Sequence, residues 1–339
     1  MTINRRWTLA RRPDGPVAVR DFALVEAPFD MPALSEGEIL VRNRVFAIAP
    51  TIRNWLNPPG RSDRGSIPIG GVISGMAGCE IVASHHPGWQ IGDRLIAMAR
   101  WEDWSVIAPD AAAVPAFRLP AEMDFAQALG PLSLNSLTAY FGMTEVGRVV
   151  ANDTVLVSGA AGSVGSVACQ IARILGARVI AIAGGADKCA WLRETCGVDA
   201  AIDYRSEEVA ARLAELCPTG IDLFFDNVGG AILDAAVDRM AAHGRIVLCG
   251  QIAAYDGDAP ARGPADMMKL VYRRIRMEGF VVGDFVDRAD EARIALSAWI
   301  DSGALKVRVD ERHGFDAIPA AFVDLFAGRN AGTLIVAAD

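Results

Sequence analysis

Residues 155–168 read Val-Leu-Val-Ser-Gly-Ala-Ala-Gly-Ser-Val-Gly-Ser-Val-Ala, and this run constrains the fold more than any other in the chain. An apolar stretch suited to a buried strand gives way to a turn of small residues and then to the first turn of a helix. Gly162 and Gly165 fall on the last two glycines of a dinucleotide fingerprint, with Ala160 where the first usually sits. Small residues let the backbone approach a pyrophosphate. The helix N-terminus then offers free N–H groups and the positive end of its dipole. Gly162, Ser163, Val164 and Gly165 are therefore candidate cofactor-binding residues.

The flanking sequence fits that reading. A strand is expected over 154–158, a helix over 163–175 ended by Gly176, and a second apolar strand over 178–183. Together they make one βαβ unit of about 30 residues. Further strands are expected over 200–202, 221–226, 244–249 and 275–282, alternating with helices, which implies a parallel sheet. Residues 1–125 differ. Short strands there are closely punctuated, as in Asn57-Pro58-Pro59-Gly60 and Ile67-Pro68-Ile69-Gly70-Gly71, and predict an antiparallel, partly barrel-like domain. Near the C-terminus, a short amphipathic helix over 315–326 leads through Gly328-Arg329-Asn330-Ala331-Gly332 to a strand over 333–337 that is expected to return to the first domain.

A chain of 339 residues suffices for two domains. Its net charge of −8 comes without a basic run, which argues against a nucleic-acid partner. No apolar run approaches the roughly 20 residues of a membrane helix. The start, Met1-Thr2-Ile3-Asn4-Arg5-Arg6-Trp7, lacks the apolar block of a secretory signal, so a cytoplasmic protein is expected. The cysteines at 79, 169, 189, 196, 217 and 249 are scattered and read as buried, reduced thiols. With no Cys-x-x-Cys pair and no Cys/His cluster, no metal site is predicted. His85 and His86 precede Pro87-Gly88 and are expected in a solvated turn.

The second strand ends at Gly184-Gly185-Ala186-Asp187-Lys188, where NAD-selective proteins usually carry an acid for the adenosine ribose. Gly184 with Lys188 close behind suits the 2′-phosphate of NADPH, although a solvated lysine on a first helical turn is the plainer alternative. Asp187 reads as an acid complementing the helix dipole. Asn227, after the 221–226 strand, lies at the edge where ligands bind in such sheets, and its amide suits the nicotinamide ribose. A turn-forming Asn is the alternative. Cys249, Gly250 and Gln251 follow the next strand and are expected to approach the nicotinamide by their backbone. Phe280, Val281 and Val282 are expected to contact the nicotinamide end through backbone and apolar surface, and Asn330 in the tail is expected to close over the cofactor.

The order of these blocks resembles the medium-chain dehydrogenase/reductase superfamily, and within it the zinc-independent group of prostaglandin reductases, leukotriene B4 dehydrogenases, curcumin reductases and plant double-bond reductases. The resemblance rests on Leu137-Thr138-Ala139-Tyr140-Phe141-Gly142, on Phe225-Asp226-Asn227-Val228-Gly229-Gly230, and on the segment from Tyr272 to Val282. It implies an α/β protein: a strand-rich GroES-like domain (1–125 and 305–339) plus a Rossmann domain with a doubly wound parallel sheet (126–304). It also implies a homodimer. In the group, the lysine matching Lys188 and a tyrosine matching Tyr204 clasp the 2′-phosphate, and a tyrosine matching Tyr272 stands near the substrate carbonyl. Departures fall where substrate is expected. The usual Asp-Pro-Tyr-Met-Arg reads Ala49-Pro50-Thr51-Ile52-Arg53, and Pro131-Leu132-Ser133-Leu134-Asn135-Ser136 replaces a Gly-Met-Pro-Gly type turn. Zinc-dependent relatives carry Gly-His-Glu where this chain has Gly78-Cys79-Glu80.

These residues predict an NADPH-dependent ene-reductase acting on small apolar α,β-unsaturated ketones or aldehydes. Hydride addition to the β-carbon needs only a donor or two on the developing enolate oxygen. Tyr272 is the first candidate. Tyr255 is the second, on a loop-like stretch over 254–264 that reads as a lid. Thr51, Arg53, Trp55 and Asn135 are candidate pocket residues. A quinone reductase of the same superfamily and a non-catalytic NADPH-binding sensor are the alternatives.

Overall fold

Strands 155–157 and 223–225 are apolar at every position, and alternate side chains leave opposite faces of a strand. In the computed structural model, which describes residues 2–60, 65–112, 114–255 and 263–338, this alternation fills two cores. Val155, Val157, Leu223 and Phe225 join one apolar cluster, while Leu156 and Phe224 join another with Ile180, Ile182 and Ile202. A sheet buried on both faces must be covered by helices on both sides, which is the arrangement of a doubly wound parallel sheet.

In chain order the elements begin with β1 (Ile3–Leu9), β2 (Phe22–Pro28), β3 (Ile39–Ala47), α1 (Ile52–Trp55), β4 (Ser74–Ser84), β5 (Arg94–Arg100), β6 (Trp104–Ile107), β7 (Phe117–Arg118) and α2 (Phe125–Leu129). Next come α3 (Leu134–Phe141), β8 (Thr154–Val157), α4 (Ser163–Ile174), β9 (Arg178–Ala183), α5 (Ala186–Glu194), β10 (Ala200–Asp203) and α6 (Val209–Leu216). They continue with β11 (Ile221–Asp226), α7 (Gly230–Val237), β12 (Met240–Leu248), α8 (Met268–Arg273), β13 (Arg276–Gly279) and α9 (Ala289–Asp301). The last are β14 (Val309–His313), α10 (Ile318–Phe326) and β15 (Thr333–Ala337).

The chain divides into two compact units, Met1–Gly130 with Val309–Asp339, and Pro131–Arg308. In the first, β14-β15-β3-β4-β5-β7 form a sheet with β6 added to β3, and β1 pairs with β2. Its division falls after Gly130 rather than at 125 because α2 packs on this sheet. A Cβ on Gly78 of β4 would lie 2.4 Å from the Phe125 ring, so only glycine lets that ring close over the strand. The tail belongs here too, through the antiparallel register Ile335↔Ala47 between β15 and β3.

In the second unit the strand order is β10-β9-β8-β11-β12-β13, all parallel. The chain runs outward from β8 to β10, then returns to the other side of β8 with β11. That reversal opens a crevice beyond the carboxyl ends of β8 and β11. α4 ends at Ile174, with Gly176 at φ 86° supplying the left-handed residue past the cap. Two boundaries depart from the sequence expectation. β12 starts at Met240, before a register shift and a left-handed His243 (φ 65°), rather than at 244. β13 stops at Gly279, because Phe280 turns inward. A Cβ on Gly142 would come 2.7 Å from its ring.

Candidate functional site

The turn from β8 into α4 sits beside the crevice. Gly159 takes φ 57° and carries the left-handed turn residue, one position before Ala160, where the fingerprint's first glycine usually sits. Ala160 is instead fully buried, its N–H donating to Ile182 O at 3.0 Å. A Cβ on Gly165 would lie 2.4 Å from Gly159 O and 2.8 Å from Ala160 Cα, so α4 reaches the turn only because that residue is glycine. Gly162 is the N-cap and leaves α4 without a side-chain cap. The N–H groups of Ser163, Val164 and Gly165 lie ahead of the first bond of α4, which Ser166 N–H makes to Gly162 O at 3.0 Å. Orphan donors at a helix start, reached across glycines, fit a pyrophosphate.

Across the crevice, Asp226 ends β11 fully buried. Its Oδ1 accepts the Ser158 hydroxyl at 2.6 Å and the N–H groups of Val228 at 2.9 Å and Gly229 at 3.0 Å. Its carbonyl accepts the N–H groups of Cys249 and Gly250. One side chain and its carbonyl thus tie together the ends of β8, β11 and β12, and sequence reasoning missed it. The signal was an Asp between an apolar strand and Asn-Val-Gly-Gly, which a strand interior would not tolerate.

Asn227 stands at the crevice, but its amide Nδ2 donates to Ser158 O at 2.7 Å, leaving the side-chain oxygen as the group free of that bond. The expected donor to a ribose is therefore already engaged. Gly250 lies against Asn227 O, where a Cβ would sit at 3.2 Å, and Gln251 packs over Gly229, where a Cβ would meet its Cγ at 2.7 Å. The Cys249 thiol is pushed up to about 12 by burial, with the neighbouring Asp226 carboxylate adding to the effect. It stays protonated and unreactive at neutral pH.

At the end of β9, Gly184 is required by contact: a Cβ would lie 2.8 Å from the Tyr204 ring and hydroxyl. Tyr204 itself is half-exposed, and Lys188 is half-buried on the first turn of α5. Asp203 is the nearby carboxylate. It accepts the N–H of Gly185 at 2.8 Å and of Arg205 at 3.0 Å, and these bonds, that of Gly185 foremost, hold its carboxyl below the usual range. The acid lies at the end of β10 rather than β9 and spends its oxygens on the loop.

The remaining candidates scatter. Tyr272 lies on α8 and is 73% exposed; Tyr255 is half-buried after a short 3-10 turn over 252–254. Most of the expected lid, residues 256–262, lies outside the described residues. The partly buried Phe280 side chain packs against the core beside Phe285; Val281 is exposed and Val282 opens a 3-10 turn.

Thr51, Arg53, Trp55 and Asn330 belong to the first unit. Thr51 is exposed, and Trp55 packs partly on that unit's core. Arg53 is 4% exposed and donates to Asn57 Oδ1 at 2.7 Å and Gly15 O at 3.2 Å. Asn330 is likewise buried, its amide donating to Gly332 O at 2.9 Å. The Cys79 thiol donates to Asn43 Oδ1 at 3.1 Å, and burial pushes its pKa up. Among the described residues no three His, Cys, Asp or Glu side chains gather as metal ligands. His86 departs from the solvated turn: its Nδ1 accepts the Gly88 N–H and its Nε2 pairs with Asp110 at 2.9 Å. No helix is long and apolar enough to cross a membrane among the described residues, and all six cysteines are free.

Two family models match the chain, a zinc-binding dehydrogenase domain over residues 163–299 and an N-terminal domain of oxidoreductases over 5–114. An NADPH-dependent curcumin reductase of Escherichia coli is 32% identical, with 98% of this chain and 96% of that protein covered. The NADP(+)-dependent 2-alkenal reductase of Nicotiana tabacum is 33% identical, with 88% and 87% covered. Among solved structures, CurA of Vibrio vulnificus in complex with NADPH superposes with a TM-score of 0.90 at 31% identity over 99% of each chain. On these full-length similarities, the chain belongs to the medium-chain dehydrogenase/reductase superfamily, in its group of curcumin, prostaglandin and 2-alkenal reductases.

Proposed function

We propose that this protein is an NADPH-dependent reductase of the carbon–carbon double bond of α,β-unsaturated ketones and aldehydes. The observation that carries the reading is the turn between β8 and α4, where the N–H groups of Ser163, Val164 and Gly165, ahead of the first helical bond, stand among glycines that let a ligand approach. The activities for which the curcumin and 2-alkenal reductases are named support the substrate class.

Residues of this turn would hold the pyrophosphate, with the α4 dipole favouring its charge. Lys188 and Tyr204 would hold the 2′-phosphate, on a strand end that carries Gly184 in place of an acid. The crevice residues Asn227, Cys249, Gly250 and Gln251 would border the nicotinamide, and Val281 and Val282 its far end. Bound NADPH supplies a hydride to the β-carbon of the conjugated system. Negative charge then moves to the carbonyl oxygen, where a Tyr272 hydroxyl would donate a hydrogen bond that strengthens as the enolate forms. Tyr255 is the second candidate for that bond. Water delivers the proton to the α-carbon, so one hydride and one proton saturate the double bond. Homodimerisation would use an edge of the parallel sheet, as the family resemblance implies; β13 is one such edge strand among the described residues.

The test is NADPH consumption by the purified protein across enones, enals and quinones. Turnover of enones and enals above quinones supports the proposal. Turnover of quinones alone moves it to the quinone reductases, and none at all moves it to a non-catalytic NADPH binder.

A further inference from the structure

Asn135, a candidate for the substrate pocket, makes a defined side-chain contact in the second unit. Asn135 lies on the first turn of α3, and its Nδ2 donates to Ser163 Oγ at 3.1 Å. Ser163 is the first residue of α4, beside the orphan N–H groups described above. A serine hydroxyl carries one hydrogen and two acceptor lone pairs. A donor already placed against the oxygen leaves the hydrogen to point away from it.

We propose that Asn135 is a positioning residue for the cofactor: by donating to Ser163 Oγ it reserves the Ser163 hydroxyl hydrogen for a pyrophosphate oxygen. The inference rests on the NADPH reading of the turn. Three facts carry it together. The N-cap Gly162 supplies no side-chain oxygen that could compete for the α4 donors. The neighbouring N–H groups of Val164 and Gly165 lie ahead of the first bond of α4, from Ser166 N–H to Gly162 O, and so take no part in the helical ladder. The asparagine comes from a separate helix, α3, which packs along α4, so the contact is tertiary and not a product of local turn geometry. The donation also draws electron density through the hydroxyl, so that a bond from Ser163 to an anion is strengthened by the bond it accepts. The polar turn Ser133-Leu134-Asn135-Ser136 thereby acts on cofactor binding and not on substrate choice.

The experiment measures dissociation constants of NADPH and of adenosine 2′-monophosphate, without substrate, for the wild type and for Asn135→Ala, Asn135→Asp, Ser163→Ala and the Asn135→Ala/Ser163→Ala double variant. Asn135→Ala is expected to weaken NADPH by about 2- to 12-fold, the worth of one hydrogen bond. Adenosine 2′-monophosphate, which has no pyrophosphate, is expected to bind all variants equally, and this also reports that the fold is retained. Asn135→Asp can only accept; it captures the hydroxyl hydrogen, adds a negative charge, and is expected to bind NADPH more weakly than Asn135→Ala. In the Ser163→Ala background the Asn135→Ala penalty is expected to vanish.

NADPH binding by Asn135→Ala that equals or exceeds the wild type overturns the proposal, because it means the asparagine accepts from Ser163 or does nothing. A penalty that persists without the Ser163 hydroxyl overturns it as well, as does an equal loss of adenosine 2′-monophosphate. A wild-type protein that binds no NADPH sinks the cofactor reading itself, a separate outcome.

Discussion

The Ser158 hydroxyl donates to Asp226 Oδ1 at 2.6 Å, joining the carboxyl ends of β8 and β11 at the point where the strand order reverses. Ser158 Oγ in turn accepts the Asn227 N–H at 2.8 Å, and Asp226 gathers the N–H groups of Val228 and Gly229. Each group in this small network is buried or half-buried, so each is satisfied at the others' expense if one is changed.

Asp226→Asn replaces one carboxylate oxygen with an NH₂ that opposes a backbone N–H of Gly229 or Val228, whichever way the amide turns. A buried donor left without an acceptor costs about 1–3 kcal/mol. The variant is expected to lose that much stability in a chemical denaturation experiment and to bind NADPH more weakly. Unchanged stability would mean that the loop finds other acceptors and that the network is dispensable.

Lys188 is the cation assigned to the 2′-phosphate. A charge-assisted hydrogen bond of roughly 1.5–3 kcal/mol corresponds to about 10- to 150-fold in affinity. Lys188→Ala is expected to weaken NADPH within that range and leave NADH nearly unaffected, as read by titration with each cofactor. Equal loss for both would return Lys188 to the solvated surface of α5.

Tyr272→Phe removes a hydroxyl from a side chain that is 73% exposed, so folding stability is expected to stay unchanged. Loss of a donor to a developing oxyanion typically costs about 10²–10³-fold in kcat. A fall of that size on an enone, with the NADPH dissociation constant preserved, is the expected result. Wild-type kcat would move the role to Tyr255.

The parallel sheet was legible because its strands are apolar on both faces and bounded by glycine and Asn/Asp turns. β9 and β11 fall on residues 178–183 and 221–226 as the pattern reads. The apolar run at 280–282 misled, since period alone does not tell a strand from a side chain turned into a neighbouring core. Phe280 fills space that Gly142 leaves, a tertiary fact with no local signature. The same holds at the site. The α4 turn could be read from its glycines, whereas the left-handed residue, Gly159, had no separate signal in the spacing. The bond from Arg53 to Gly15 O joins segments 38 residues apart, a tertiary contact with no local signature. Asn135 and Ser163, 28 residues apart, gave no sign that they meet.

The central claim is where the hydride goes. NADPH labelled with deuterium at the transferable position, incubated with the protein and an α,β-unsaturated ketone, followed by NMR of the product, tests it directly. The account predicts a saturated ketone with deuterium on the β-carbon and the carbonyl intact. Deuterium on a carbinol carbon, with the double bond retained, would contradict it and make the protein a carbonyl reductase.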